Sequence, residues 1–363
     1  MHCLYDFHTF SVQSYGGISR YFTEIIKHLI PKDDLKISVF MGLHVNEYGL
    51  ESHSKDFYKF WGLKRSRLPK TDRIFESINK LGFKYFCKNL KTDLFHETGY
   101  LNPEYKGKRI ITIHDMTHEV IPRFFKFNET EKKMKACHAA DAIICISENT
   151  KLDLIKIFKI KEKKIHVIYA AGSLPLLKLN GHHNPFKFDY FLYVGSREKY
   201  KNFFVVLKAF ELGKFKNQNL HLVCYGGSTP SLVDLKFIID HELTNHVHFL
   251  EGDDIYLSKV YQHAIALLYS SFYEGFGIPP LEAMSQGCPV ISSNTSSIPE
   301  VVGDAGIMFN PHDHQELISH MNSIVKEPSL RMSLKIQGIE RSKQFSWDKC
   351  ANETFKLYQE QCR

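Results

Sequence analysis

The chain has 363 residues, 43% of them hydrophobic and 24% charged, with a formal net charge of +7. This length predicts two globular domains, and the composition excludes a disordered or fibrous protein. The sequence shows no apolar run of about eighteen residues that would span a membrane and no signal peptide, so we expect a cytosolic protein. The eight cysteines form no C-x-x-C pair, which predicts reduced thiols rather than disulfides or a zinc site.

Strand-like runs rich in Ile and Val alternate with amphipathic helical runs along the whole chain. In the first half, strands are predicted at 35–41, 109–115, 141–147 and 164–170, and helices at 18–29 and 149–158. In the second half, strands are predicted at 189–195, 220–226, 247–252, 264–270 and 288–293, and helices at 203–213, 231–243 and 314–327. This alternation implies parallel sheets covered by helices, so the predicted fold class is α/β, with two doubly wound domains.

A segment rich in Pro, Gly, Asn and His at 173–188 separates the two halves and is typical of a linker. We therefore place the two domains at 1–175 and 176–345. A last amphipathic helix, predicted within 346–363, has no neighbouring strand in the sequence.

Two carboxylates, Glu274 and Glu282, surround a turn in the stretch YEGFGIPPLEAM, directly after a predicted strand. Ligands of open parallel sheets bind beyond the carboxyl ends of the strands. Gly275 and Gly277 let the backbone approach a ligand, and the helix that Pro280 introduces offers free N–H groups to a phosphate. Carboxylates on both sides of a phosphate site would accept hydrogen bonds from ligand hydroxyls. The stretch therefore predicts a sugar nucleotide as the ligand. For Glu282 alone, a carboxylate that only supports the dipole of the helix's first turn is an equal alternative.

Basic side chains follow the strand at 189–195 in the loop GSREKYKN. Arg197 and Lys201 are placed at a second strand end, where they could neutralise a diphosphate. Lys199 is a competing candidate, and plain solvation is the common alternative for basic residues in a loop.

In the first half, Gly16 and Gly17 lie at the turn between the first strand and the first helix, where backbone N–H groups could approach a diphosphate. His114 ends a strand and could donate to a sugar hydroxyl or a phosphate, while a packed core histidine is an equal alternative. The chain has no D-x-D and no Walker A motif, and the adjacent Asp253 and Asp254 do not alternate as metal ligands would. We therefore expect no metal and no cofactor.

A resemblance to retaining glycosyltransferases of family four rests on the stretches SSFYEGFGIPPLEAMSQGCPVISS and SIPEVVGDAGIMFNP. The two glutamates of the family match Glu274 and Glu282, and its basic pair resembles Arg197 and Lys201. A bacterial branch that includes O-antigen and lipopolysaccharide mannosyltransferases is similar in LYDFHTFSVQSYGGISRYF and IHDMTHEVIP.

The resemblance implies the GT-B fold, in which two Rossmann-like domains hold the donor in a cleft between them. The first domain would be the acceptor side, and the last helix would return to it. The catalytic positions implied are Glu274, Arg197, Lys201 and His114. The donor-binding positions implied are Gly16, Gly17, Gly275, Phe276, Gly277, Ile278 and Glu282.

The implied reaction is metal-independent transfer of mannose from GDP-mannose, with retention, to a glycan or polyprenyl-linked acceptor in cell-surface polysaccharide synthesis. A UDP-sugar-dependent glycosyltransferase and a sugar-nucleotide epimerase of the same fold remain as alternatives. A nucleic-acid-binding protein is disfavoured, because carboxylates in the crevice would repel a phosphate chain.

Residues 57–91 contain ten basic, two acidic and eight aromatic residues. Lysines combined with aromatics suit an anionic membrane surface. We hypothesise that this stretch docks the enzyme on the inner membrane face, where a lipid-linked acceptor lies. The alternative is a solvated face whose aromatics pack inward.

Overall fold

The computed structural model describes residues 1–67, 71–125, 129–172, 174, 184–227 and 229–363. The chain divides into two compact units: residues 1–170 with 347–363 form unit 1, and residues 171–346 form unit 2. Most of the linker predicted at 173–188 lies outside the described residues. Within the described part of the chain, no helix is long and apolar enough to cross a lipid bilayer.

Unit 1 is built on a seven-stranded sheet whose neighbouring strands are all parallel. Its strands are β1 (His2–Tyr5), β2 (Lys36–His44), β3 (Lys59–Lys64), β4 (Leu94–Glu97), β5 (Lys108–Ile113), β6 (Ala142–Cys145) and β7 (Ile165–Val167). The order β3-β2-β1-β4-β5-β6-β7 is doubly wound, so the winding direction reverses at β1. The strands β1, β4 and β6 are buried along their whole length, as parallel strands under helices require.

The helices of unit 1 include α1 (His8–Val12), α2 (Gly17–Leu29), α3 (Asp72–Cys87), α4 (Thr117–Val120), α5 (Thr130–Ala139) and α6 (Glu148–Phe158). α2 follows β1 and buries one apolar stripe, which includes Phe22, Ile26 and Leu29. Because these residues recur every three to four positions, α2 can pack against the sheet while its other face stays polar.

Unit 2 repeats the architecture with a six-stranded parallel sheet in the order β10-β9-β8-β11-β12-β13. Its strands are β8 (Asp189–Val194), β9 (Leu220–Tyr225), β10 (Val247–Leu250), β11 (Ala266–Tyr269), β12 (Val290–Ser293) and β13 (Ile307–Phe309). Its helices include α7 (Phe203–Leu212), α8 (Leu232–Asp240), α9 (Asp254–His263), α10 (Ile278–Ser285), α11 (Ile298–Val302), α12 (His314–Lys326) and α13 (Pro328–Ser342). The predicted fold class, two doubly wound α/β domains, is confirmed.

The last helix, α14 (Trp347–Gln361), belongs to unit 1 and packs against α2. A buried polar network ties it to the sheet: the Tyr358 hydroxyl bonds to the Tyr5 hydroxyl at 2.6 Å and to Nδ1 of His96. Nε2 of His96 in turn lies 2.8 Å from the Thr112 hydroxyl. Burial lowers the pKa of His96 to about 3, so the ring joins the network in its neutral form.

Candidate active site

Two segments at the carboxyl edge of the unit 2 sheet carry most of the predicted site residues. β8 and β11 are paired neighbours, so the segments that follow them start side by side. Lys201 comes from the first segment and Glu274 from the second. The Lys201 ammonium donates to both carboxylate oxygens of Glu274, at 2.7 and 2.9 Å. The structure therefore joins two predicted residues that are far apart in sequence.

This ion pair is largely shielded from water, since the side chains of Lys201 and Glu274 are 18% and 11% exposed. Taking two charges out of water costs free energy that close, well-directed hydrogen bonds must offset. The arrangement holds a cation in a fixed orientation at the sheet edge. A site that stabilises a developing negative charge requires such a preorganised group.

Backbone after the neighbouring strand β9 fixes the side chain of Arg197. Its guanidinium donates to the Gly226 carbonyl at 2.9 Å and lies 4.9 Å from the centroid of the Phe249 ring. Gly226 and Gly227 have φ of +70° and +77°, a conformation that favours glycine. Sequence reasoning missed this glycine pair, although a G-G turn after a strand was the signal used in the first half.

Two serines hold the loop that follows Glu274. The Glu274 N–H donates to the Ser296 hydroxyl at 2.9 Å. The buried Ser297 hydroxyl lies 2.9 Å from the carbonyls of both Glu274 and Phe276. Both serines follow β12, the next strand of the sheet. Sequence reasoning did not single them out, and the Ser-rich run SSNTSS after a strand was the available signal.

The loop enters α10 through Gly277, whose φ of +114° favours glycine. Pro279 and Pro280 occupy first-turn positions, where a missing N–H breaks no helical hydrogen bond. The prediction that Glu282 lies in the first turn is wrong: the helix begins at Ile278, ahead of both prolines, so Glu282 is its fifth residue. Glu282 is therefore not placed to support the helix dipole from the first turn.

Glu282 is 5% exposed. Gly172 packs beside its side chain, since a Cβ added to Gly172 would lie 3.5 Å from the Cγ of Glu282. Burial raises the pKa of the Tyr261 hydroxyl, and the neighbouring Glu282 carboxylate raises it further. A carboxylate this deeply buried needs hydrogen-bond donors around it. Such an environment suits an acceptor of ligand hydroxyls.

In unit 1, Gly16 is the N-cap of α2 and Gly17 is its first residue. The Gly16 N–H donates to the Tyr48 hydroxyl at 3.1 Å. A Cβ on Gly16 would come within 2.6 Å of Oε1 of Gln13, the atom that accepts from the Ser19 N–H. A larger residue at Gly16 would therefore displace the side chain that closes this turn.

His114 lines a cavity of 170 Å³ in unit 1, together with residues that include Thr9, Gln13, Thr98 and Tyr100. The ring is 8% exposed, and its Nε2 has no hydrogen-bond partner among the described residues. Burial lowers the pKa of His114 to about 4, so the imidazole is neutral near pH 7. A neutral imidazole with an unsatisfied nitrogen at a cavity can pair with a ligand hydroxyl.

Gly16, Gly17 and His114 belong to unit 1, whereas the other predicted site residues belong to unit 2. In the described ranges, no group of three or more His, Cys, Asp or Glu side chains is arranged to hold a metal ion.

Both halves of the chain match glycosyltransferase families. Residues 15–171 match the family described as Glycosyltransferase Family 4, and residues 180–341 match the one described as Glycosyl transferases group 1. With its two Rossmann-like units, the protein is a glycosyltransferase of the GT-B fold. The chain belongs to glycosyltransferase family four and is similar to the O-antigen mannosyltransferases, so the predicted family and branch are confirmed.

The chain is 25% identical to O-antigen chain mannosyltransferase B of Escherichia coli, over 94% of this chain and 95% of that relative. Its structure resembles sucrose-phosphate synthase of Thermosynechococcus elongatus with a TM-score of 0.79 and 20% identity, covering 99% and 98% of the two chains. It also resembles the Anabaena HepE protein in complex with UDP and glucose, with a TM-score of 0.70, 14% identity and 99% coverage of both chains. The two solved structures establish the fold.

Proposed function

We propose that this protein is a retaining mannosyltransferase that moves mannose from GDP-mannose to a glycan or lipid-linked acceptor in cell-surface polysaccharide synthesis. The observation that carries the proposal is the shielded ion pair of Lys201 and Glu274 beside the start of α10. A nucleoside diphosphate leaving group needs positive potential where its charge develops. Lys201, Arg197 and the N–H of Ile278, the first residue of α10, would supply it without a metal.

In this reaction the bond from the anomeric carbon to the phosphate oxygen breaks, and a bond to an acceptor hydroxyl forms on the same face. The acceptor proton passes to the leaving phosphate oxygen, so no protein nucleophile is required. The anomeric carbon gains oxocarbenium character on the way. Glu274 retains acceptor capacity beyond the two contacts to Lys201, and would bind the hydroxyls of the sugar.

The remaining site residues would position the donor. Glu282 would bind the ribose hydroxyls, and the backbone of 275–278 would donate to the donor sugar and phosphates. Gly17, at the start of α2, would approach the diphosphate, while Gly16 shapes the turn. His114 would bind a sugar hydroxyl through its unpartnered Nε2.

The identity of the donor rests on the similarity to an O-antigen mannosyltransferase, and the HepE complex with UDP makes a UDP-sugar the second candidate. A thermal-shift screen of GDP-mannose against UDP-glucose and UDP-galactose separates them, because a selective ligand raises the melting temperature by mass action. A selective shift with a UDP-sugar would replace GDP-mannose. No shift with any nucleotide sugar would remove the proposal.

Transfer itself is tested with GDP-mannose and a lipid-linked acceptor, with the product read by mass spectrometry and its anomeric configuration by NMR. Retention predicts an α-mannoside from the α-linked donor, and undiminished activity in EDTA supports metal independence. An inverted product would overturn retention, and metal-restored activity would overturn metal independence. Conversion of the donor to another nucleotide sugar without an acceptor would identify an epimerase.

Helix α3 supports the idea that the acceptor is met at an anionic membrane. Its outer stripe, defined here as Ile74, Ile78, Leu81 and Tyr85, is between 46% and 79% exposed. Residues three and four positions apart share one helical face, so these four form a continuous apolar line. Arg73, Lys80 and Lys84 lie along one side of it. An apolar line flanked by cations is typical of a helix that lies in a lipid interface.

The aromatics of 57–91 divide between the core and the surface. Phe83 and Phe86 are buried and pack on Phe40 of β2. These two residues follow the alternative interpretation, in which the aromatics of 57–91 pack inward. Trp61 of the edge strand β3 stacks on the same Phe40 at 5.2 Å and remains 44% exposed. We propose that the outer stripe of α3 rests on the inner membrane face.

A further inference from the structure

A groove runs between α3 and the segment 101–107 of unit 1. It consists of two adjoining cavities of 790 and 380 Å³. The residues that line both cavities are Cys87, Pro103, Glu104 and Tyr105. No residue of the site described above lines either cavity, so the groove is separate from it.

The smaller cavity reaches the aromatic core of unit 1. Its apolar lining comprises Phe7, Phe83, Phe95, Leu101, Pro103 and Tyr105. Phe7 and Phe95 are fully buried, so the floor of the cavity is the core itself. Protein cores are packed with few voids, and apolar walls offer water few hydrogen-bond partners. The cavity therefore suits an apolar chain.

The openings of the groove carry an excess of positive charge. Lys80 and Lys84, one turn apart on α3, line the smaller cavity, and Lys91 and Lys106 line the larger one. Lys80 also pairs with a glutamate of its own helix. Glu104 is the one acidic residue among the described residues that line the groove. Four lysines against one glutamate favour an anionic group at the rim.

The outer wall of the groove is held in place by two buried side chains of the sheet. Arg109 donates to the side chain of Asn102 and to the carbonyl of Pro103. Glu97 accepts from the Asn102 N–H at 2.6 Å. A wall that is already ordered reduces the entropic cost of binding a ligand.

We propose that this groove binds the apolar chain of a lipid phosphate, with the phosphate at the lysine rim. Thr98, Gly99 and Tyr100 line the cavity of His114, and the groove begins at the next residue, Leu101. A glycan carried on a lipid phosphate would thus place its sugar and its chain along one continuous segment. The inference rests on the proposed function for the role of this lipid as acceptor carrier, whereas binding itself is measured without any transfer.

Calorimetry on the full chain with short prenyl phosphates, below their aggregation concentrations, tests the binding. Each buried methylene strengthens binding about fourfold, so farnesyl phosphate should bind at least about tenfold more tightly than geranyl phosphate. Farnesol and inorganic phosphate, each lacking one half of the ligand, should bind more weakly than farnesyl phosphate. Equal affinities for farnesyl phosphate and inorganic phosphate would overturn the proposal.

Cys87 offers a way to fill the groove, because it lines both cavities and is only partly buried. Cys87→Trp should weaken farnesyl phosphate binding at least tenfold. Cys87→Ala should not weaken it, and Cys362→Trp, at an exposed cysteine of the same unit, is the matched control. Unchanged affinity in a folded Cys87→Trp protein contradicts the proposal.

If Cys87→Trp does not fold, Lys84→Glu provides the same test at the rim, with an expected weakening of about fivefold that high salt reduces. Lys84 makes no ion pair with another described residue, so the substitution breaks no internal ion pair. Farnesyl phosphate binding that is insensitive to both Lys84→Glu and salt would overturn the phosphate position. Tight binding in a protein that transfers no sugar would retain the groove and remove the proposed function.

Discussion

The ammonium of Lys201 lies within 2.9 Å of both carboxylate oxygens of Glu274, and each side chain is less than one-fifth exposed. The two charges therefore act as one unit, because removal of either partner leaves the other buried and uncompensated. Their roles in transfer are coupled for the same reason: the carboxylate that would bind the sugar also orients the cation that would receive the phosphate charge.

Substitution of either partner should remove most of the activity. We expect Lys201→Ala and Glu274→Ala each to lower kcat at least about a hundredfold with GDP-mannose saturating, the scale of one key electrostatic contact. The double variant should be little worse than either single one, since residues in contact are not additive. Lys199→Ala, at an exposed lysine of the same segment, is the control. Near-normal rates in either single variant would remove the assignment.

Substitution of His114 should weaken the enzyme's interaction with the sugar of the donor and not its interaction with the nucleotide. We expect His114→Ala to lower kcat/KM for GDP-mannose about tenfold or more, because a hydrogen bond to a sugar hydroxyl is lost. Calorimetric binding of GDP alone should be unchanged. Since burial holds the pKa of His114 near 4, the wild-type rate should show no step from this residue between pH 5 and 8. Equal weakening of GDP and GDP-mannose binding would contradict the role.

Glu97 should make unit 1 less stable as the pH rises. Burial first, and then the neighbouring Asp6, raise the pKa of Glu97 to about 7. The folded state therefore holds a proton that the unfolded chain releases near pH 4.5, so this group stabilises folding at low pH. That stabilisation falls by about 1.4 kcal/mol per pH unit and is lost by about pH 7.

The measurement is urea unfolding of wild type and Glu97→Gln at pH 5 and pH 8. The amide keeps an oxygen for the Asn102 N–H and carries no charge, so the variant should gain stability relative to wild type at pH 8. Glu104→Gln, at an exposed carboxylate nearby, should show no such gain. The same difference from wild type at both pH values would show that Glu97 does not titrate as described.

The outer stripe of α3 should determine membrane binding. Burial of one Ile or Leu side chain contributes about 1.5–3 kcal/mol, so Ile78→Ser with Leu81→Ser should reduce sedimentation with anionic liposomes at least about tenfold. Leu232→Ser with Val233→Ser, at exposed apolar residues of α8, is the matched control. Neutral liposomes should bind wild type less well. Equal, negligible binding of wild type to both kinds of liposome would discard membrane docking.

The sequence predicted the parallel core well because strands buried on both faces are continuous apolar runs, as in AIALLYS before Glu274 and RIITIHD before Met116. The edge strand β3 and helix α3 were not predicted. In KFWGLK, polar and apolar residues do not alternate cleanly. In α3, apolar residues face both the core and the solvent, so its apolar arc is wider than the stripe of an ordinary surface helix.

The positions of Lys201 and Glu274 were predictable, because each residue follows the end of a strand and the two strands are neighbours. Ser296 and Ser297 were missed because they act through the three-dimensional contact of two loops that follow different strands. The prediction that Glu282 lies in the first turn of α10 was wrong for a similar local reason. The positive φ of Gly277 lets the helix start at Ile278, and the prolines alone do not indicate that start.

The return of α14 to unit 1 has a consequence for the order of folding during translation. Unit 2 is complete once residue 346 has left the ribosome, whereas unit 1, synthesised first, still lacks the helix that covers α2. Until Tyr358 is synthesised, the hydroxyl of Tyr5 and the ring of His96 lack the hydrogen-bond partner that they share in the folded protein. The half of the enzyme that is made first is therefore finished last, because α14 is synthesised after unit 2.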